Sequence, residues 1–157
     1  MGDSGVGKTS FLDAISSTLG TVFENEESTE LHIKTTYYID DNYQYKIVYF
    51  DMPGKERHHK YIHKYVNGST ACLFMFNVTQ RSSFEKVEQW INECDRCDVP
   101  IKILVGNMVD LLGSGAANQK NKASMLANGS PVSKVEAISL ARKYGMEYFE
   151  TCSVGET

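Results

Sequence analysis

Cysteine is scarce and scattered in this chain: four residues in 157, of which only Cys94 and Cys97 are closely spaced. A lone Cys-x-x-Cys is poor support for zinc, and the placing of Cys72 and Cys152 suggests no disulfide framework. Reduced thiols on a helix and just past its end are the expectation. No apolar run approaches the roughly 20 residues that cross a bilayer, and no signal-peptide pattern precedes Gly2. Charge of neither sign dominates. Sixteen Lys and Arg stand against 20 Asp and Glu, a net charge of −4, so no general attraction draws the chain to nucleic acid or an anionic membrane. With 41% hydrophobic and 23% charged residues, neither disorder throughout nor a fibrous repeat fits. These absences leave a soluble intracellular chain, read as one domain over residues 1–157 and able to bury roughly two-thirds of its unfolded surface. One more thing is lacking: nothing precedes the most informative motif, which begins at residue 2.

What is present alternates between strand and helix patterns. Phe11, Leu12, Ile15 and Leu19 form a helical stripe after Lys8, stopped by Gly20. Leu31 to Ile39 and Tyr45 to Phe50 are rich in β-branched and aromatic residues and flank Asp40-Asp41-Asn42, a hairpin signal. The continuous apolar runs Ala71 to Val78 and Ile101 to Val105 suit parallel strands covered on both faces. Phe84, Val87, Ile91 and Cys94 mark a helix between them, with Ser82-x-x-Glu85 expected as its capping box. A second capping box, Ser133-x-x-Glu136, opens a helix through Ile138, Ala141 and Tyr144. Gly145 ends it, and Met146 to Phe149 reads as a last strand. Such alternation predicts an α/β fold with its ligand at the C-terminal ends of the strands. Residues 112–130 break the rhythm: 13 of these 19 are Gly, Ser, Ala or Asn. Connections of about 2–6 residues would suffice, so this segment reads as a surplus insert, disordered by default, with a partner-binding loop the less favoured reading.

Gly2-Asp3-Ser4-Gly5-Val6-Gly7-Lys8-Thr9 is a complete G-x-x-x-x-G-K-[ST]. Its glycines let backbone N–H groups turn inward around phosphate oxygens, and the following helix aims its positive end at them. Lys8 would reach the β- and γ-phosphates, while the Thr9 hydroxyl would bind Mg²⁺. Asp51-Met52-Pro53-Gly54 follows a strand, where a Mg²⁺-associated carboxylate and a phosphate-sensing glycine belong. Asn107-Met108-Val109-Asp110 follows another. A carboxylate at Asp110 can accept hydrogen bonds from the N1–H and N2 amino groups of guanine; adenine has no matching donors. Glu150-Thr151-Cys152-Ser153 follows the last strand.

The order and spacing of these four blocks resemble the Ras superfamily of small GTPases. The Rab branch looks closest, through Gly2 to Ser10, Asn77-Val78-Thr79 with Ser83-Phe84 and Trp90-Ile91, Val132-Ser133-Lys134 to Gly145, and Tyr148 to Thr151. Only residues 112–130 fall outside the likeness. The resemblance implies a P-loop NTPase G domain: a mostly parallel sheet, one antiparallel edge strand, helices on both faces. In that fold a strand precedes the phosphate loop and a helix follows the last strand, so both ends read as trimmed.

The same likeness implies the site. GTP or GDP would be bound by Ser4, Gly5, Val6, Gly7, Lys8, Thr9, Ser10, Thr29, Gly54, Asn107, Met108, Asp110, Cys152 and Ser153. Mg²⁺ would be held by Thr9 and Thr29, with Asp51 in the outer shell. Ser28-Thr29 fits switch I if the glycine after the usual Thr-Ile is deleted; a gapless count from Asp51 would choose Ser28 instead. Lys8, Gly54 and Lys55 would act on the reaction itself. The family's Asp-Thr-Ala-Gly-Gln-Glu is here Asp51-Met52-Pro53-Gly54-Lys55-Glu56. Lys55 replaces the Gln that orients the attacking water, and an ammonium has no acceptor to hold water that way. Slow hydrolysis of GTP is the expectation. Met108 and Val154 replace lysines of the guanine site, which implies weaker guanine affinity.

Exchange factors, activating proteins and effectors would meet residues about 24–35 and 52–65, and vesicle trafficking would be the setting. No lipid anchor is visible, so the implied location is cytoplasmic, peripheral on endomembranes if a prenylated tail follows. His59 and His63 have i, i+4 spacing, but an exposed, mobile switch is expected there rather than zinc. The competing reading is a pseudo-GTPase scaffold that binds nucleotide weakly or not at all.

Overall fold

The two continuous apolar runs become neighbouring parallel strands of one sheet. The computed structural model describes residues 1–19, 24–27, 32–54, 62–113 and 129–152. Along the chain these form α1 (Lys8–Leu19), β1 (Glu24–Glu27), β2 (His32–Ile39), β3 (Gln44–Asp51), α2 (Ile62–Val66) and β4 (Ala71–Asn77). Then come α3 (Arg81–Glu85), α4 (Val87–Cys94), β5 (Ile101–Asn107), α5 (Asp110–Gly113), α6 (Lys134–Lys143) and β6 (Glu147–Thr151). This is the α/β fold that the alternating pattern predicts.

Hydrogen bonding divides the strands into two three-stranded sheets, β1-β2-β3 and β4-β5-β6. The first is antiparallel throughout, with Ile39 opposite Gln44 at the hairpin end. The second is parallel, in a register that brings Asn77, Asn107 and Thr151 to one edge. The expected antiparallel strand is β2, and β1 is added outside it. Four polar and acidic residues carry no strand pattern, so β1 is invisible in the sequence.

Among the described residues β3 and β4 form no ladder with each other. A cavity of about 650 Å³ lies between them, lined by Phe11, Leu12, Ile47, Phe50, Cys72 and Leu73 among others. Met1 closes one end of it. Its ammonium donates to the Leu73 carbonyl, and its carbonyl accepts from the Met75 N–H at 2.8 Å. That pattern, one residue straddling two carbonyl-amide neighbours, is a parallel ladder contact.

Alternation along β4 separates two apolar layers. Phe74 and Phe76 face a core with Leu104, Val87, Trp90, Ile91, Ala137 and Ala141, which seats α4 and α6. Met75 and Val105 face Val6, with Phe11, Leu73 and Ile103 around them, which seats the start of α1. On this second side Ile101 and Phe149 stay 48% and 52% exposed. Lys34, buried on β2, pairs with Asp13 and ties α1 to the antiparallel sheet.

Three local expectations need correction. The segment around Phe84 is two helices broken at Lys86, not one. Ser82 is not a cap: α3 starts after Gln80, and no side chain caps it. The neighbouring Ser83 hydroxyl instead accepts from the Asn77 N–H and donates to the Gln80 carbonyl, fixing the strand-to-helix turn. Leu112 and Gly113 are helical, the end of α5, rather than the start of a loop. The second capping box is present in full, with Ser133 and Glu136 each bonding the other's backbone N–H.

Candidate functional site

The phosphate loop is anchored at both ends before any ligand is considered. At its end, an α-helix leaves its first N–H groups without intrahelical partners, here at Lys8, Thr9 and Ser10. Gly7 makes the entry possible, with φ +88° and a Cβ position that would lie 2.4 Å from Asn107 Nδ2. No other residue fits there. The Asn107 amide, fully buried, donates to the Val6 carbonyl at 2.9 Å, so the tip of β5 holds the loop from beneath. Lys8 Nζ donates to the Gly2 and Asp3 carbonyls at 2.9 and 2.8 Å. This places a half-buried ammonium inside the curve of the loop. Burial lowers the Lys8 pKa, and the charges of Asp51 and then Asp3 oppose that fall.

The carboxylate expected after β3 meets the hydroxyl expected after Lys8. Thr9 Oγ1 donates to Asp51 Oδ2 at 2.6 Å, and Asp51 is 6% exposed. Buried carboxylates are paired or ligate a cation, and a hydroxyl beside a carboxylate is the hard oxygen set that suits Mg²⁺. The residues present therefore fit that ion. Gly54 follows closely: a Cβ there would lie 2.4 Å from both Asp3 C and Ser4 N. The chain after β3 lies directly on the phosphate-loop backbone.

The segment expected to read the base leaves β5 at Asn107. Met108 adopts φ +66°, a strained left-handed conformation for a non-glycine, and its Cε reaches toward Gly7. Met108 thus bridges toward the phosphate loop as the apolar stem of a lysine would. The Val109 N–H donates to the Thr151 carbonyl at 3.4 Å, joining this segment to the end of β6. Asp110 opens α5 and is exposed. Cys152 follows β6 and is partly buried.

Of the expected site residues, Ser4 to Ser10, Asp51, Gly54, Asn107, Met108, Asp110 and Cys152 line the ends of β3, β5 and β6 and the start of α1. Thr29, with its alternative Ser28, and Lys55, Ser153 and Val154 lie outside the described residues, as does His59. His63 lies on α2, where Nδ1 is 3.4 Å from Cys97 Sγ. Among the described residues no group of three His, Cys, Asp or Glu could hold a metal. Sequence reading passed over Asp3 and Lys86, whose side chains pair at 2.9 Å. The available signal was an ionisable residue among the variable positions of a phosphate loop.

Comparison with known proteins agrees with this geometry. The Ras family model matches residues 1–156. The chain is 30% identical over 167 aligned residues to Ras-related protein Rab-1D of Dictyostelium discoideum, covering 100% of this chain and 70% of that protein. It is 33% identical over 149 residues to GTP-binding protein YPTM2 of Zea mays, covering 87% and 68%. It is 29% identical over 153 residues to GTP-binding protein ypt3 of Schizosaccharomyces pombe, covering 96% and 71%. A family match over nearly the whole chain, joined to Rab relatives at about this identity, makes this chain a divergent, Rab-like member of the Ras family of small GTPases.

Proposed function

We propose that residues 1–157 form a single Rab-type G domain that switches between GTP- and GDP-bound states and hydrolyses GTP slowly. The observation that carries this is the meeting of Thr9 with Asp51 at 2.6 Å beside the Lys8 ammonium. Lys8 would bind the β- and γ-phosphates, and the N–H groups at the start of α1 would receive their oxygens. Thr9 and Asp51, with Thr29, would hold Mg²⁺, which neutralises charge on the phosphates when bound. Gly54 lies against the Asp3–Ser4 peptide, which supports a role for its N–H in sensing the γ-phosphate. Asp110 would select guanine, Met108 would cover the base, and Cys152 and Ser153 would contact its carbonyl side.

Lys55 in the place of the water-orienting Gln supports slow hydrolysis. A positive charge there attracts phosphate without positioning the attacking water. Loss of the γ-phosphate would release residues about 24–35 and 52–65 and so change which exchange factors, activating proteins and effectors bind. Membership of the Rab-like branch supports a role in vesicle trafficking, with peripheral endomembrane attachment if a prenylated tail follows.

A second reading, a scaffold with weak nucleotide binding, draws on Lys55, Val154 and the strained Met108. Native purification followed by acid release and ion-exchange chromatography separates the two. About one equivalent of GDP or GTP supports the switch; protein that carries none and takes up none favours the scaffold.

A further inference from the structure

A carboxylate inside a phosphate-binding loop needs an explanation. Asp3 stands at the second position of the motif, and like charge repels the oxyanions that the loop collects. Its Oδ1 accepts from the Ser4 N–H at 2.9 Å, which fixes the side chain against the loop rather than letting it swing into solvent. Its carbonyl accepts from Lys8 Nζ. Its peptide carries Gly54. Three parts of the site therefore meet at one residue.

The remaining oxygen is answered from the far side of the fold. Lys86 Nζ donates to Asp3 Oδ2 at 2.9 Å, across 83 residues of sequence. The side chain of Asp3 is 19% exposed and that of Lys86 42%. Lys86 is also the break between α3 and α4, ending one helix and starting the next with φ −79° and ψ −10°. The helix that starts there, α4, packs against α2 in the expected second switch.

We infer that Lys86 is a positioning residue for polyphosphate binding. It cancels the Asp3 charge beside the loop that would collect the phosphates. This rests on the proposed nucleotide reading and adds a residue outside all four nucleotide motifs. Lys86 touches no phosphate; it acts through Asp3.

The test measures dissociation constants of the full chain for GTP and for inorganic tripolyphosphate at fixed Mg²⁺, at low and high salt. The variants are Lys86→Gln, Lys86→Arg, Asp3→Asn and the Asp3→Asn, Lys86→Gln double variant. Lys86→Gln weakens both ligands by about tenfold, the factor that 1.4 kcal/mol represents, and the loss shrinks at high salt. Lys86→Arg stays within about threefold of the parent, since charge and reach are kept. Asp3→Asn alone binds as tightly as the parent or tighter, because the repelling charge is gone. The double variant recovers most of what Lys86→Gln loses, which mere loss of a structural contact would not allow.

Unchanged binding in Lys86→Gln would make the pair an ordinary solvated bridge and overturn the inference. A double variant as weak as Lys86→Gln would also overturn the charge argument. Should the guanine reading alone fail, GTP would bind no better than tripolyphosphate, yet the variant series on tripolyphosphate would still show the pattern above.

Discussion

The Thr9 hydroxyl donates to the Asp51 carboxylate at 2.6 Å, joining residues 42 apart in sequence. Neither oxygen belongs to the same element: one opens α1, the other closes β3. Their meeting brings together a hydroxyl and a carboxylate, the oxygen pair proposed to hold Mg²⁺. Thr9→Ala is expected to lower Mg²⁺-dependent GTP affinity by at least about tenfold. Affinity measured in chelator should change less than about threefold. Equal losses with and without Mg²⁺ would assign Thr9 to direct phosphate contact instead.

The close approach of Gly7 to Asn107 predicts a backbone effect. Alanine at 7 would combine φ +88° with a Cβ placed 2.4 Å from the Asn107 amide. The expected cost is about 1–3 kcal/mol, read as a lower urea midpoint with an unchanged slope. A midpoint equal to that of the parent would show that the loop does not rest on β5.

Much of this site is legible in the sequence because its parts end apolar runs. Lys8 precedes a helical stripe, while Asp51 and Asn107 close strands, so local pattern alone brings them to one edge of an α/β fold. What is not legible depends on partners far apart. The Lys86–Asp3 pair spans 83 residues, and no periodicity encodes it. The helix break at Lys86 hides inside a continuous amphipathic stripe. The false capping box at Ser82 fails because the tight turn after Asn77 uses Ser83, and α3 has already begun at Arg81. The strand β1 escapes notice because Glu24-Asn25-Glu26-Glu27 carries no apolar alternation to mark a strand.

Lys55 carries a kinetic prediction. Single-turnover hydrolysis by Lys55→Gln should exceed that of the parent by about one to two orders of magnitude, the scale of restored water positioning. No gain would mean that another group, not residue 55, limits the reaction.

Acid should weaken the contact between α3 and α6 in a defined window. Two hydrogen bonds from Arg81, and then those from Ser133, hold the Glu136 carboxyl down at about 2, against an ordinary 4.5. A depressed carboxyl contributes its full stabilisation above 4.5 and loses it as pH falls toward 2. The melting-temperature gap between the parent and Glu136→Gln is therefore expected to hold from pH 7 to 5 and to shrink below 4.5. It should be small and salt-sensitive, since the pair is exposed. A gap that persists at pH 2 would assign the effect to packing.

The central claim is that this fold selects guanine nucleotides, and calorimetric titration with GTP and ATP at fixed Mg²⁺ tests it most directly. With Asp110 accepting from guanine, GTP is expected to bind at least about a hundredfold more tightly than ATP, and Asp110→Ala should erase most of that preference. Equal affinity for GTP and ATP in the parent protein would contradict the account.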